Sequence, residues 1–467
     1  MLNYEDLLPL TKDLPSIAGV NNLIAAPFER IVSSLISCGA DVTLFNLTEK
    51  VRQHADFNSH IKRVIPKEKG KDFLNKFKVI QNLFAKKHPH LTQDYEYFFC
   101  GENLHVPLHL EKEFQACEVV LLGEFSMLID ADMISEILRS KKTVAWSSSA
   151  NLFTGFCGQP AGCEKWQSSG CADCPMLGRT IGNQDMCATF FARKLTGFAD
   201  IRDFVVVTPS RWLSRESQRS VLGKPFFHTI IPTCVKLDTY MPIPQSRARK
   251  DLGIPIDSSV ILLASTNGMR KNKGTYVACE ALSQLQRRWG KSMVPQILFF
   301  GHKAPYLERL RECGYEVQSL GWIDDIRTMA KIYAAADVFV SPSFQDNLPN
   351  TVNEALACGT PVICFDRFSS EDVVIDGVTG FLAKHPGLPL SPEGRLIQPA
   401  PYEPTAERCA DLAEQLLKFF ELPMWRRECM RHECRQFAEA TFNPVEEAMR
   451  YLQLFRNMLG LHYIHIN

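Results

Sequence analysis

Short, nearly uninterrupted apolar runs recur along the chain, separated by amphipathic stretches of helical length. In the first half they are Asp41–Phe45, Glu118–Leu122, Thr143–Trp146 and Phe204–Val207; in the second, Val260–Ala264, Gln296–Phe300, Asp337–Val340 and Pro361–Phe365. Runs without polar alternation suit strands buried on both faces, the condition of a parallel sheet covered by helices. Two successive sets of such β–α units predict an α/β chain with two doubly wound, Rossmann-like domains. The stretch Leu237–Ser246, LDTYMPIPQS, holds two prolines and no periodicity. It sets the expected boundary, with a first domain over 1–236 and a second over 237–440. A last amphipathic helix is expected near Pro444–Leu459, followed by the strand-like HYIHIN at 462–467.

The amino end is less regular. A doubly wound domain opens with a strand feeding a glycine turn, and the turn candidate is Ala18-Gly19-Val20-Asn21-Asn22. The preceding YEDLLPLTKDLPSI reads as a poor central strand because two prolines interrupt it. Tyr463–Ile466 is therefore a candidate for the missing strand, docking into the first sheet; the alternative is a frayed tail.

Composition narrows the function classes. Of 467 residues, 45% are hydrophobic and 22% charged, which excludes a disordered, collagenous or coiled-coil architecture. Lys plus Arg and Asp plus Glu are both 52, so no overall positive field exists to draw nucleic acid. No apolar run reaches the length of a membrane span, and MLNYEDLLPLTKDLP lacks a signal-peptide core, so the chain reads as cytoplasmic. A local basic run from Lys62 to Lys87 carries Phe73, Phe77, Ile80 and Phe84 at helical spacing. Such a helix could lie on an anionic membrane surface or turn its stripe to its own core.

The chemistry concentrates in Ser341–Phe381, SPSFQDNLPNTVNEALACGTPVICFDRFSSEDVVIDGVTGF. The strand Asp337–Val340 ends in a loop, a helix is expected from about Thr351 to Cys358, and Gly359 ends it. Doubly wound sheets bind ligands at the carboxyl ends of their strands, and a helix amino end there suits a diphosphate. Asp346 and Glu354, with seven residues between them, bracket this loop. Two carboxylates at that spacing could accept hydrogen bonds from the hydroxyls of a nucleotide sugar.

SPSFQDNLPNTVNEALACGTPVI resembles the donor-site signature of retaining glycosyltransferases of family 4, with Asp346 where the family has Glu. VVTPSRWLSRESQRS from Val206, NKGTYVACEAL from Asn272 and LGWIDDIRTMAKIYAAADVFVSPS from Leu320 resemble other segments of that family, and the likeness covers roughly Lys142 to Phe381. The resemblance implies a GT-B fold, with two Rossmann-like domains facing across a cleft and the segment 441–467 packing back on the first. It also implies roles. Glu354 would bind the nucleotide ribose, and Asp346 the donor-sugar hydroxyls. The backbone of Asn347, Leu348, Pro349 and Asn350, leading into Thr351, would cradle sugar and phosphates. Lys273, with Arg270 as partner, would neutralise the diphosphate, and Gly19 would face it from the first-domain loop. Fixed cations and a helix amino end can stabilise a leaving diphosphate without a catalytic metal. Asp130-Ala131-Asp132 reads more simply as a helix cap than as a metal-binding triplet.

The chain departs from the resembling enzymes at Ser148 and Ser149, which stand where they carry His and Asp, and at Thr233-Cys234 in the linker. A second signal is Cys157, Cys163, Cys171 and Cys174, whose last pair has C-x(2)-C spacing. They could form a structural zinc site, with free thiols, a redox-sensitive disulfide or iron–sulfur ligation as alternatives. The expected function is transfer of a sugar from a UDP- or GDP-sugar to a glycan or glycolipid of a surface polysaccharide, with possible attachment to a membrane surface. The rival is a noncatalytic nucleotide- or glycan-binding subunit of a synthase, favoured by Ser148 and Ser149.

Overall fold

A computed structural model describes residues 2–21, 26–46, 61–63, 112–123, 131–155, 157, 158, 160, 163–174, 185–265, 273–286, 288, 289, 294–302, 306–384 and 406–461. Two parallel sheets organise them. The first contains β1 (Ile17–Asn21), β2 (Val42–Asn46), β3 (Ile61–Arg63), β4 (Val119–Leu122), β5 (Lys142–Trp146), β6 (Phe204–Thr208) and β7 (Phe227–Ile230), in the order β3-β2-β1-β4-β5-β6-β7. The second contains β8 (Val260–Ser265), β9 (Gln296–Gly301), β10 (Val317–Ser319), β11 (Val338–Ser341), β12 (Val362–Asp366) and β13 (Gly380–Lys384), in the order β10-β9-β8-β11-β12-β13. Each strand order reverses once, between β1 and β4 and between β8 and β11, so each sheet has a switch-point crevice at its carboxyl edge.

The long apolar runs became the central strands for the expected reason. Every residue of β4, β6, β9 and β11 is buried. The edge strands β7 and β10 are partly exposed, and their mixed composition hides them from a search for apolar runs. The opening strand corrects the sequence expectation. Pro9 lies in the short helix Leu8–Thr11 and Pro15 precedes β1, so neither interrupts the strand. β1 itself is central, paired in parallel with β2 and β4, and the first sheet needs no strand from elsewhere. The tail assigned to that role, Tyr463–Ile466, lies outside the described residues, as does nearly all of the basic run; only Lys62 and Arg63 are described, in β3.

Eight helices matter below: α1 (Ala26–Ser37), α2 (Arg211–Arg219), α3 (Thr275–Leu285), α4 (Ile326–Ala335), α5 (Asn350–Ala357), α6 (Ala406–Glu421), α7 (Met424–Thr441) and α8 (Pro444–Leu459). α6 and α7 cover the second sheet, where Met430 and Cys434 are fully buried. The chain then crosses back. Asn443 accepts hydrogen bonds from the backbone N–H of Val445 and Glu446, Pro444 takes the first helical position, and α8 starts there. α8 buries Ala448, Tyr451, Leu452 and Phe455 against Phe28, Ile31, Val32 and Leu35 of the first unit. Arg456 fixes its far end by donating to the carbonyls of Leu10 and Lys12.

Polar contacts join the two units. Arg211 donates to Asp372 at 2.7 Å, Arg215 pairs with Glu371, and Trp212 meets Phe368 edge-on at 5.0 Å between ring centroids. The return of α8 adds a covalent and apolar tie. Phe455→Ala should therefore cost about 3–5 kcal/mol through transfer and cavity terms. Urea unfolding should show an earlier transition, while the exposed Arg450→Ala should shift it by less than about 0.5 kcal/mol.

Candidate active site between the two sheets

The loop from Ser341 to Pro349 leaves the carboxyl end of β11, a central strand at the second switch point, and feeds α5. Pro349 occupies the cap position and gives no side-chain cap, so the amino end of α5 opens onto the space in front of it. Across that space stand α1 and the loop after β5. Together they enclose a cavity of about 920 Å³, whose lining includes Arg30, Trp146, Ser148, Ser149, Lys273, Trp322, Asp346–Thr351 and Glu354.

Lys273 reaches this place through its neighbour Gly274. Gly274 has φ 65°, and a Cβ there would sit 1.9 Å from the Pro342 carbonyl oxygen. Only glycine permits that approach, which sets the start of α3 against the β11 loop. The Lys273 ammonium then lies 2.7 Å from Asp346 Oδ2, with both side chains mostly shielded. Asp346 Oδ1 accepts from the backbone N–H of Asn347 at 3.1 Å. Asn347 bridges the units: its Nδ2 donates to the Ser148 carbonyl at 2.8 Å, and its Oδ1 accepts from the Ser210 hydroxyl.

Glu354 sits one turn into α5. Its Oε2 accepts from the Tyr333 hydroxyl at 3.2 Å, and its Oε1 lies 3.8 Å from Arg30 Nη1. Arg30 Nη2 also donates to Asn350 Oδ1 at 2.6 Å. Burial pushes the Glu354 carboxyl up to about 7, against the downward pull of Arg30 and of hydrogen bonds from Tyr333 and Tyr240.

Asp346, Asn347, Leu348, Pro349, Asn350, Thr351, Glu354 and Lys273 thus share one cavity. Gly19 does not join them. It lies inside β1, not in a loop, where a Cβ would meet Leu44 Cδ1 at 3.3 Å. Its small size serves strand packing, and the expectation that it faces the cleft from a loop is corrected. Arg270 lies outside the described residues. Asp132 is in the first turn of the helix Ala131–Ser140 and does not line the cavity.

Ser148 and Ser149, which replace the histidine and aspartate of the resembling enzymes, do line it. Ser149 caps the short turn Ala150–Leu152, and Ser148 contributes its carbonyl to Asn347. Sequence reasoning missed Arg30 and Trp322. Trp322 stacks on His302, 4.9 Å between centroids and 15° between planes, and donates to Asp324 at 2.7 Å. It stands in the G-W-I segment from which a cue was available. Arg30 gave none, since an arginine on an amphipathic helix looks like any surface cation.

Cys157, Cys163, Cys171 and Cys174 gather beside the first unit's core, and Cys187 hydrogen-bonds to Cys174 as a fifth sulfur. Burial pushes the Cys157, Cys163 and Cys171 thiols up, the last to about 12, and the neighbouring sulfurs add to the shift. The Gly155 N–H donates to Cys171 Sγ at 3.0 Å. Among the described residues, no three His, Cys, Asp or Glu side chains are arranged to hold a metal ion.

Residues 259–388, which carry the β11 loop, α5 and Lys273, match the family described as Glycosyl transferases group 1. TuaC of Bacillus subtilis, named for teichuronic acid biosynthesis, is 27% identical over 246 residues, 52% of this chain and 54% of its own. The matching region thus spans about half the length of that relative. Sucrose-phosphate synthase from Thermosynechococcus elongatus superposes with a TM-score of 0.60 at 19% identity, over 96% of this chain and 99% of that one. Anabaena HepE in complex with UDP-glucose superposes at 0.56 and 12% identity, over 96% and 99%. The fold is GT-B, and the stretch of its second unit that matches the group 1 glycosyl transferase model faces the cleft.

Proposed function

We propose that the protein is a retaining glycosyltransferase that moves a sugar from a nucleoside diphosphate sugar to a glycan or glycolipid acceptor. The observation that carries this reading is the convergence of Lys273, Asp346, Glu354 and the open amino end of α5 on one cavity between two Rossmann-like units. In this reading the second unit binds the donor and the first the acceptor, and 237–440 is the donor domain. UDP is the favoured donor base because a structural neighbour, HepE, was crystallised with UDP-glucose; a GDP-sugar is the alternative. The name of TuaC favours a surface polysaccharide as the acceptor's destination. No helix among the described residues is long and apolar enough to cross a membrane, so a lipid-linked acceptor would be met at a membrane surface.

The chemistry follows from the charges. As the bond between the sugar C1 and the diphosphate oxygen breaks, negative charge grows on the leaving group. Lys273 and the α5 amino end supply fixed positive potential there, with Arg270 as the proposed second cation. The acceptor oxygen bonds to C1 on the face the diphosphate leaves, and its proton passes to the departing phosphate oxygen. A diphosphate would draw Lys273 from Asp346, and the released carboxylate could then accept hydrogen bonds from the donor sugar. Glu354 would accept the ribose hydroxyls, a role that requires its ionised form. No step is assigned to the cysteine cluster or to a metal.

Incubation with a panel of UDP- and GDP-sugars, with and without glycan acceptors, should release nucleoside diphosphate. Tight nucleotide binding with no release from any donor would instead establish the noncatalytic subunit that Ser148 and Ser149 favour. Lys273→Ala should lower kcat by about 10²–10³-fold, the scale of one lost electrostatic stabiliser. Donor affinity should rise with pH through about 7 as Glu354 ionises, and Glu354→Gln should weaken binding and abolish that dependence. Isothermal titration with the nucleoside diphosphate between pH 6 and 8.5 would measure both.

A further inference from the structure

Arg30 does more than line the cleft. It comes from α1 in the first unit, yet both of its resolved polar partners lie on α5 of the second: Asn350 at 2.6 Å and Glu354 at 3.8 Å. Its side chain and that of Glu354 are each only 13% exposed. A second buried carboxylate, Glu447 of α8, accepts from the Cys234 N–H at 3.0 Å and feels the same guanidinium. The other groups facing this acid pair include the tyrosines Tyr4, Tyr240, Tyr333 and Tyr451 and the thiols of Cys234 and Cys358, all neutral near pH 7. One cation therefore serves two buried acids contributed by different helices, at the point where α1, α5 and α8 meet. Two carboxylates removed from water cannot both stay ionised there without it.

Resting on the glycosyltransferase reading, we propose that Arg30 is a positioning residue that clamps the first unit to α5 and, as the counter-charge facing Glu354, favours its carboxylate form and orients it for the nucleotide ribose. Arg30 contacts neither the reacting atoms nor the diphosphate in this account; it acts through Glu354. Donor entry does not need to displace it, because Glu354 has two oxygens and Asn350 retains its own hydrogen bond. The device also ties nucleotide binding to the spacing of the two units. An opened cleft would carry Arg30 away and leave Glu354 buried without its counter-charge.

The test is the titration of Glu354, followed by ¹³C NMR on protein labelled at glutamate carboxyls, with the resonance assigned by its loss in Glu354→Gln. The wild-type midpoint should lie near 7. Arg30→Gln and the shape-conserving Arg30→Met remove the charge that favours ionisation, so both midpoints should rise by about one pH unit or more. Arg30→Lys should restore most of the difference. Affinity for UDP or GDP at pH 7 should fall about fivefold in Arg30→Met, since a one-unit rise takes the ionised fraction from about a half to about a tenth, and recover as the pH is raised. A role in packing alone would leave the Arg30→Met midpoint at its wild-type value, and that result would overturn the proposal. If the midpoint moves but the wild type binds neither nucleotide, the hold of Arg30 on Glu354 stands and the glycosyltransferase reading falls.

Discussion

The governing constraint is that a parallel strand buried on both faces can offer polar chemistry only at its ends. β4, β6, β9 and β11 carry no exposed residue between their termini. Polar chemistry is therefore displaced to the loops and helices beyond the carboxyl edges, and the reversals of strand order open a crevice in each edge. The second crevice becomes a site because the β11 loop leads directly into α5, whose first turn points its backbone N–H groups outward. The first unit then closes the space through Asn347, which spans to Ser148 and Ser210. The cleft is thus a consequence of sheet burial, with side chains supplied afterwards.

Within the cleft, two charged pairs are formed between groups of the chain itself. Lys273 rests on Asp346, and Glu354 faces Arg30. A buried pair of this kind costs desolvation, and its mutual attraction returns only part of it. Such pairs are poor stabilisers but good reservoirs, since a ligand carrying the right charges can exchange partners without exposing any of them. A diphosphate can take Lys273 while a sugar hydroxyl takes Asp346. The same arrangement keeps these buried charges paired in a low-dielectric setting.

Much of this was legible from residue order. The eight long apolar runs all became strands, because double burial imposes unbroken hydrophobicity. The loop and helix at Ser341–Ala357 were legible because an apolar strand, a proline and a terminal glycine punctuate them. What failed did so for physical reasons. β1 was obscured because Pro9 and Pro15 lie close to it, although neither is in it, and Gly19 was read as a turn when it lies within the strand, packed closely against Leu44. The edge strands β7 and β10 are half-exposed and so carry no unbroken run. Arg30 was invisible because its partners lie more than three hundred positions away, at Asn350 and Glu354.

The replacement of histidine and aspartate by Ser148 and Ser149 bears on the choice between enzyme and binding subunit. Neither serine can act as a cation or a base at neutral pH, so whatever the resembling enzymes do with those side chains is not done here by the same groups. The structure nevertheless keeps the segment at the cleft: the Ser148 carbonyl receives the Asn347 amide, and the Ser149 hydroxyl caps the following turn. The groups proposed to stabilise a leaving diphosphate, Lys273 and the α5 amino end, lie in the other unit. On the proposed reading the substitution changes what the first unit would offer an acceptor while leaving those groups in place, and that asymmetry favours a transferase with altered acceptor chemistry over a protein that only binds.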